Sequence, residues 1–439
     1  MTDRRRLATE IVRRLRGAGH DAYLAGGCVR DRLLGRAPLD FDVATSAAPE
    51  AVQALFRRTV PVGVQFGVVL VVEGGARFEV ATFRSDDAYV DGRRPIAVHF
   101  GSAREDACRR DFTINALFED PLSGEIHDFV GGVADLHAGV IRAIGDAAAR
   151  IAEDRLRMLR AVRFAARLGF EIAPETRAAI AAAAPTLPDI ASERIGDEVV
   201  KILTEGSARR GFELLDSTGL LPVILPEVAR MHGVPQSPDH HPEGDVWTHT
   251  LWLLEQLPAG APETLALGAL LHDVAKPLCA GRKGDRITFY GHPTVGADIA
   301  VDICQRLRRS RTTWERVDYL VRHHLRLTQA PEMRLATLKR MLAEEGFDEL
   351  CRLARLDALA SNRDLRYVLF CERRARELGA EALRPRRLLD GTDLLAMGYA
   401  AGPRIGEILR AVEDAQLEGQ IATREAAEAL VRERFRPPL

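Results

Sequence analysis

Residues 24–45 read LAGGCVRDRLLGRAPLDFDVAT, and the fold of the N-terminal third turns on this stretch. The run His20 to Ala25 that leads into it has the character of a short strand. Gly26-Gly27 breaks that strand, and Val29 to Leu34 is helical up to Gly35. Asp40 and Asp42 flank Phe41 at a spacing of two, which on a strand turns both carboxylates to one side. Held side by side they repel, and without a counter-charge one takes up a proton. A hard divalent cation such as Mg²⁺ removes that objection and keeps positions open for substrate phosphates. Gly26-Gly27, ahead of a helix whose first turn carries Arg30, makes a phosphate cradle, because small residues admit the backbone and helix N–H groups point at the anion. A dinucleotide-binding fold is excluded, since no G-x-G-x-x-G follows the first strand.

Working outward, Phe66 to Val72 and Arg77 to Phe83 are apolar, β-branched runs separated by Glu73-Gly74-Gly75-Ala76, a hairpin signal. Glu79 lies on the second run. With Asp40 and Asp42 it completes a two-metal clamp suited to phosphoryl or nucleotidyl transfer. Beyond residue 145 nearly everything reads as Ala, Leu and Arg-rich helix, punctuated by VPQSPDHHPEG at Val234 to Gly244 and by a second break at Leu383 to Gly391. The fold class is therefore α+β: a head with a small mixed or antiparallel sheet over residues 1–145, followed by an all-α body divided at 146–230, 231–382 and 383–439.

Composition excludes several classes. At 439 residues, 46% hydrophobic and 28% charged, the chain is too long for one module and too balanced for a disordered or collagen-like protein. No apolar run approaches a membrane span, the N-terminus lacks a signal-peptide core, and six scattered cysteines fit a reducing compartment, so the cytoplasm is expected and no membrane partner. The net charge is −2, yet 57 of the 61 cations are arginine. Arg150, Arg155, Arg157, Arg160, Arg163 and Arg167 crowd into one 18-residue stretch read as helix, a local basic face for phosphates.

The stretch 26–45, with RRDFTINAL at Arg109 to Leu117, resembles the class II tRNA nucleotidyltransferase and poly(A) polymerase family of the polymerase-beta-like superfamily. The resemblance continues through DFVGGVADL (Asp128 to Leu136), EDRLRMLRAVRFAARLGF (Glu153 to Phe170) and ASERIGDEV (Ala191 to Val199). It implies Asp40 and Asp42 as Mg²⁺ ligands and catalytic residues, Glu79 as the third acid, and Gly27, Arg30 and Arg110 as nucleotide contacts beside Gly26. Asp154 and Arg157, three apart on a helix, match the edge shared by cytosine and adenine: the carboxylate accepts from the amino group while the guanidinium donates to the ring nitrogen. The family's EDxxR motif implies the same base-reading role. Arg160 and Arg163 continue that face to meet phosphate or brace the cavity. RSDDAYVDGRRPIAVHF at Arg84 to Phe100 looks like the mobile loop of enzymes that add the terminal A.

His249, His272-Asp273 and Asp357 follow the order of an HD-type site, with His292, His323 and His324 as further candidates. Imidazole and carboxylate from separate helices hold a divalent transition metal and activate water for phosphoester hydrolysis. His240 and His241, in the Pro-rich break, read as surface residues. The amphipathic segment from Leu388 to Val431 looks like the tail that holds tRNA in such enzymes. The expected function is template-independent addition or repair of the tRNA 3′-terminal CCA from CTP and ATP, releasing pyrophosphate. Three alternatives stand beside it: an A-adding enzyme or poly(A) polymerase, an HD-type phosphohydrolase whose head only binds nucleotide, and a catalytically silent RNA-binding module.

Overall fold

The structure is a computed structural model that describes residues 2–61, 67–86, 98–237 and 244–435. It has the expected α+β head and helical body. The expected loop falls largely at 87–97, and His240 and His241 at 238–243, outside the described residues. The chain divides into two compact units, Met1–Ala229 with Pro258–Gly260 and Arg230–Leu257 with Ala261–Leu439, so the expected boundaries at 145 and 382 each lie inside one unit. No helix among the described residues is long and apolar enough to cross a membrane.

The first unit opens with helix α1 (Thr2–Gly17), strand β1 (Ala22–Ala25), helix α2 (Gly27–Leu33), strand β2 (Asp42–Thr45) and helix α3 (Pro49–Leu55). Strands β3 (Thr59–Val60), β4 (Val68–Glu73) and β5 (Ala76–Thr82) follow, then a separate ladder of β6 (Arg84–Asp86) with β7 (Val98–Phe100). Helix α4 (Ala103–Arg109), strands β8 (Leu117–Glu119) and β9 (Ile126–Asp128) and helix α5 (Gly132–Ala138) complete the head. Its seven-stranded mixed sheet runs β3-β4-β5-β2-β1-β8-β9. The hairpin β4/β5 turns on Gly74-Gly75, both at positive φ, the tight turn that matches strand twist. β5 then pairs with β2 in parallel, Val43 beside Val80 and Ala44 beside Ala81. Leu24, Val43, Val80 and Phe118 are buried in the sheet's core.

Helices α6 (Ala147–Glu153), α7 (Arg157–Leu168), α8 (Pro174–Ala183) and α9 (Ser192–Thr204) stand beside the head in the same unit. The arginine-rich stretch is thus two helices rather than one. Asp154 adopts extended backbone between them, and α7 starts at Arg157.

In the second unit, helices Val246–Glu255, Glu263–Leu271, His292–Arg306, Arg311–His323 and Phe347–Ala360 enclose an apolar interior that includes Leu267, Leu270, Leu320 and Leu353. The C-terminal helices form their own small core around Leu394, Tyr399, Ile408, Val412 and Val431. Arg340 with Glu413, and Lys339 donating to the Leu417 carbonyl, tie them to the helix Leu335–Ala343.

The DFVGGVADL motif is explained by geometry. Asp128 accepts from the backbone N–H groups of Val130, Gly131, Gly132 and Val133, capping α5, where a carboxylate also meets the positive helix end. A Cβ on Gly132 would lie 2.2 Å from the Thr113 carbonyl oxygen, so α5 must shift to accept one. Gly132→Ala is expected to destabilise the protein by about 1–3 kcal/mol, read from the urea midpoint, whereas an unchanged midpoint would show that α5 shifts freely.

Candidate functional site

The parallel pairing of β2 with β5 decides the chemistry of the head. Because Val43 lies beside Val80, the preceding residues Asp42 and Glu79 sit on neighbouring strands and face the side opposite those two valines. Both line a cavity of about 510 Å³, together with Gly26, Gly27, Arg30 and Arg110. The Asp42 carboxyl is pushed up to about 6, first by the protein atoms that crowd it, then by Glu79 and more weakly by Asp40, with Arg110 opposing. Asp40 differs from expectation: β2 begins where Ala25 meets Asp42, so Asp40 lies ahead of the strand. Its side chain is 80% exposed and its Oδ1 accepts from Arg4 Nη1 at 3.0 Å.

Gly26 is fixed by conformation and space. Its φ is +72°, and a Cβ there would lie 2.9 Å from Arg110 Nη1. The RRDFTINAL motif supplies a relay of charge-assisted bonds behind the cavity wall. Asp106 holds Arg109 and Arg110 at 2.6 and 3.0 Å. Arg110 Nη1 donates to the Asn115 carbonyl, Arg30 Nη1 to Asn115 Oδ1 at 2.6 Å, and Asn115 Nδ2 to Asp111 Oδ1 at 3.1 Å. Arg160 closes the relay on Asp111 Oδ2 at 2.6 Å. Burial works against ionising Asp111, but Arg160 and Asn115 outweigh it and hold the carboxyl below its ordinary range. Asp106, Asp111 and Asn115 were not singled out from the sequence, although the motif containing the last two was.

Asp154, Arg157 and Arg160 line the same cavity, with Phe164 beneath the guanidinium groups of Arg30 and Arg160. Asp154 and Arg157 are not neighbours on one helix. Asp154 Oδ1 accepts from the Leu156 N–H and Oδ2 from Arg194 Nη2 at 2.9 Å, while Arg157 pairs with Glu153 at 2.7 Å. Arg163 is absent from the cavity's lining. It is buried against Glu198 at 2.7 Å and Glu205 at 3.1 Å, and stacks on Phe164 at 4.4 Å, which braces the wall from behind. Arg194, in ASERIGDEV, is the partner that the spacing argument missed. A groove of about 600 Å³ along α1, lined by Arg5, Arg13, Arg32 and Phe41, holds neither Asp42 nor Glu79.

In the second unit His249, His272 and Asp357 bring one ligand atom each within 4.8 Å of one another, as do Asp273, His292 and His324. His249 Nε2 lies 3.1 Å from Asp357 Oδ1, and His272 Nε2 3.1 Å from Asp273 Oδ2. His323 is not in either group and packs on the Tyr319 ring. Burial opposes a charge on Asp273 and on Asp357, yet their histidine neighbours, and for Asp273 also Lys276, hold both carboxyls well below the ordinary range. Burial, then the neighbouring His272, lowers His324 to about 4 and keeps it neutral, the state in which imidazole binds metal.

Three family descriptions match successive parts of the chain: Poly A polymerase head domain over residues 22–142, probable RNA and SrmB-binding site of polymerase A over 169–231, and HD domain over 240–362. The multifunctional CCA protein of Paracidovorax citrulli is 36% identical over 427 residues, 92% of this chain and 99% of that one. The CCA-adding enzyme of Latilactobacillus sakei is 41% identical over 62% of this chain and 70% of its own. The match to the CCA-adding enzyme of Geobacillus stearothermophilus is 48% identical and spans about half of each, 48% and 53%. The crystal structure of the Bacillus stearothermophilus CCA-adding enzyme in complex with CTP superposes with a TM-score of 0.74 at 28% identity, over 98% of this chain and 97% of that one.

The raised Asp42 carboxyl carries a stability signature. The folded state binds this proton more tightly than the unfolded chain, so the contribution is fullest below about pH 4 and is lost as pH rises through about 6. In chelator-treated protein, Asp42→Asn is expected to gain in Tm over wild type between pH 5 and 7.5, and saturating Mg²⁺ to shrink that gain. A difference that ignores pH would refute the repulsion.

Proposed function

The chain belongs to the CCA-adding enzyme family, and from that premise we propose that it builds or repairs the CCA of tRNA 3′ ends from CTP and ATP. The observation that carries this is the side-by-side placement of Asp42 and Glu79 at one end of a cavity whose other lining residues suit phosphate and base. The tRNA 3′-hydroxyl oxygen attacks the α-phosphorus of the nucleotide, the new P–O bond replaces the bond to the β-phosphate bridge, and pyrophosphate leaves.

Asp42 and Glu79, with Asp40 swung from Arg4, would hold Mg²⁺. The carboxylate set, acceptor-only oxygens and a proton lost near neutrality, fits a hard ion. Bound there, Mg²⁺ supplies charge for the phosphates and lowers the barrier to deprotonating the hydroxyl. Gly26 and Gly27 let the triphosphate approach the start of α2, and Arg30 and Arg110, anchored by Asp31 and Asp106, face it from a fixed frame. Asp154 and Arg157 read the base. Each Asp154 oxygen has spent one acceptor position, on Leu156 N–H or Arg194, and keeps another for the amino group of cytosine or adenine. The body grips tRNA by shape and backbone, and the enzyme works in the cytoplasm.

A second site is favoured by a specific observation, the convergence of His249, His272, Asp273 and Asp357. We propose that they hold a divalent transition metal suited to phosphoester hydrolysis.

Incubation with tRNA lacking its 3′ end and single nucleotides is expected to give CC from CTP and complete CCA from CTP with ATP. A ladder of A alone would favour the A-adding alternative. Asp42→Ala is expected to lower addition by on the order of a thousandfold. Asp154→Ala should cut discrimination of CTP against UTP by roughly tenfold to a hundredfold, and unchanged selection would sink the base-reading role.

A further inference from the structure

We infer that a two-stranded hairpin of the second unit, Gly281–Lys283 with Arg286–Thr288, binds the sugar-phosphate backbone of an RNA strand whose phosphorylated end enters the neighbouring histidine and aspartate cavity. The substrate class of that cavity is then an RNA end rather than a free nucleotide. This rests on the reading of the second site as one for phosphoester hydrolysis, and adds the part of the substrate that the cavity itself does not hold.

The hairpin carries its charge without partners. Its strands pair Gly281 with Thr288, Arg282 with Ile287 and Lys283 with Arg286, around a turn at Gly284-Asp285 where Gly284 takes a φ of +61°. Arg282, Lys283 and Arg286 are exposed, and none of them has an ion pair among the described residues. The arginines around the head's cavity differ in this respect, since Arg30, Arg110, Arg157 and Arg160 each sit on an acid. Lys283 and Arg286 stand directly opposite each other, an arrangement of like charges that is unfavourable alone and is relieved by an anion between them. Three cations against the single Asp285 leave this short element positive in a chain whose net charge is −2, and such a local excess is the footprint of a polyanion.

Position ties the hairpin to the cavity. Ile287 and Thr288 at its end, with Phe289 and Tyr290 just after it, line a cavity of about 330 Å³ that also reaches Asp273, His292, His324 and Asp357. Arg286 stands two residues before Thr288 on the same strand, about 7 Å along it. The cations therefore serve the stretch of strand outside the cavity, not the phosphate inside it. Tyr290 is 74% exposed, and an aromatic ring left in water beside unpaired cations is the pairing that single-stranded RNA uses, bases stacking on the ring while phosphates follow the charge. RNA accounts for all three features at once: a phosphoester for the cavity, a base for Tyr290 and a backbone for the hairpin. A free nucleotide leaves the cations unused, and an acidic peptide brings no phosphoester. In the reaction water adds to the phosphorus, the ester P–O bond breaks, and the strand leaves with a hydroxyl end as inorganic phosphate is released.

The test follows phosphate release by the Mn²⁺-loaded full chain from a short single-stranded oligoribonucleotide ending in a 3′-phosphate and from the matching nucleoside 3′-monophosphate. The oligonucleotide is expected to have the higher kcat/KM by roughly tenfold at low salt. Combined Arg282→Ser, Lys283→Ser and Arg286→Ser should raise its KM by roughly tenfold, flatten the slope of log KM against log salt by about 2, and leave the mononucleotide unchanged. Equal use of the two substrates by the wild type, or a variant that alters neither or both alike, overturns the inference. Hydrolysis of neither substrate overturns the hydrolytic reading of the cavity, and the hairpin is then decided by crosslinking. The same oligonucleotide with 4-thiouridine next to its 3′-phosphate is irradiated with the full chain and the adducts are mapped by mass spectrometry. Adducts within Gly281 to Tyr290 that vanish in the triple variant support the inference, and adducts confined to other segments refute it. Tighter hairpin-dependent binding of polyglutamate or of phosphatidylserine vesicles than of the RNA refutes it as well.

Discussion

The parallel ladder between β2 and β5 places Asp42 against Glu79 on one face of the sheet, and the head is organised around that repulsion. Two carboxylates on adjacent strands are unfavourable without a counter-charge, and Glu79 adds to the burial that pushes the Asp42 carboxyl up. The surrounding arginines do not cancel the repulsion, because each is already committed: Arg30 to Asp31, Arg110 to Asp106, Arg157 to Glu153 and Arg160 to Asp111. The wall is therefore cationic in shape but balanced in charge. Such a site is a poor trap for arbitrary anions and becomes attractive to a polyphosphate once a divalent ion joins the carboxylates.

The same pairs make the proposed catalytic acids and the proposed base readers one mechanical object. Arg160 on α7 is locked to Asp111 of the head, Phe112 meets Phe164 edge to face at 6.0 Å, and Arg36 reaches the Leu168 carbonyl. A base held there, as proposed, by Asp154 and Arg157 would be placed at a set distance from Asp42. Positioning of this kind is where a nucleotidyl-transfer enzyme without a nucleic-acid template gains both rate and choice.

The sequence carries local periodicity well and capping geometry poorly. Asp42 and Glu79 were legible because the hairpin through Gly74-Gly75 and the two-residue strand repeat fix which side chains share a face. Asp40 falls ahead of the strand because β2 starts only at Asp42, where its ladder with β1 ends at Ala25. Asp154 was drawn onto a helix because the EDRLRMLR run has helical composition. Its carboxylate instead caps the Leu156 N–H across a break, the competition with helix that aspartate is known for. For Arg163 the sequence leaves phosphate contact and bracing both open, since spacing along α7 does not reveal that Glu198, from a helix 35 residues on, waits behind it. For the histidines, order in the chain found the HD residues, but only the fold shows that Nδ1 of His272, His292 and His324 each meets a carbonyl three residues back.

The two sites ask opposite things of a metal. In the head the acids open on a cavity that must admit a new triphosphate at every step, so an ion held by a few hard oxygens has to come and go with its nucleotide. In the body the candidate ligands are four buried imidazoles and two carboxylates, a nitrogen-rich and enclosed set that would favour transition ions over Mg²⁺. Chelation thus separates the two without mutation: a brief, mild exposure empties the head first, and excess Mg²⁺ refills it while the body, once stripped, stays empty.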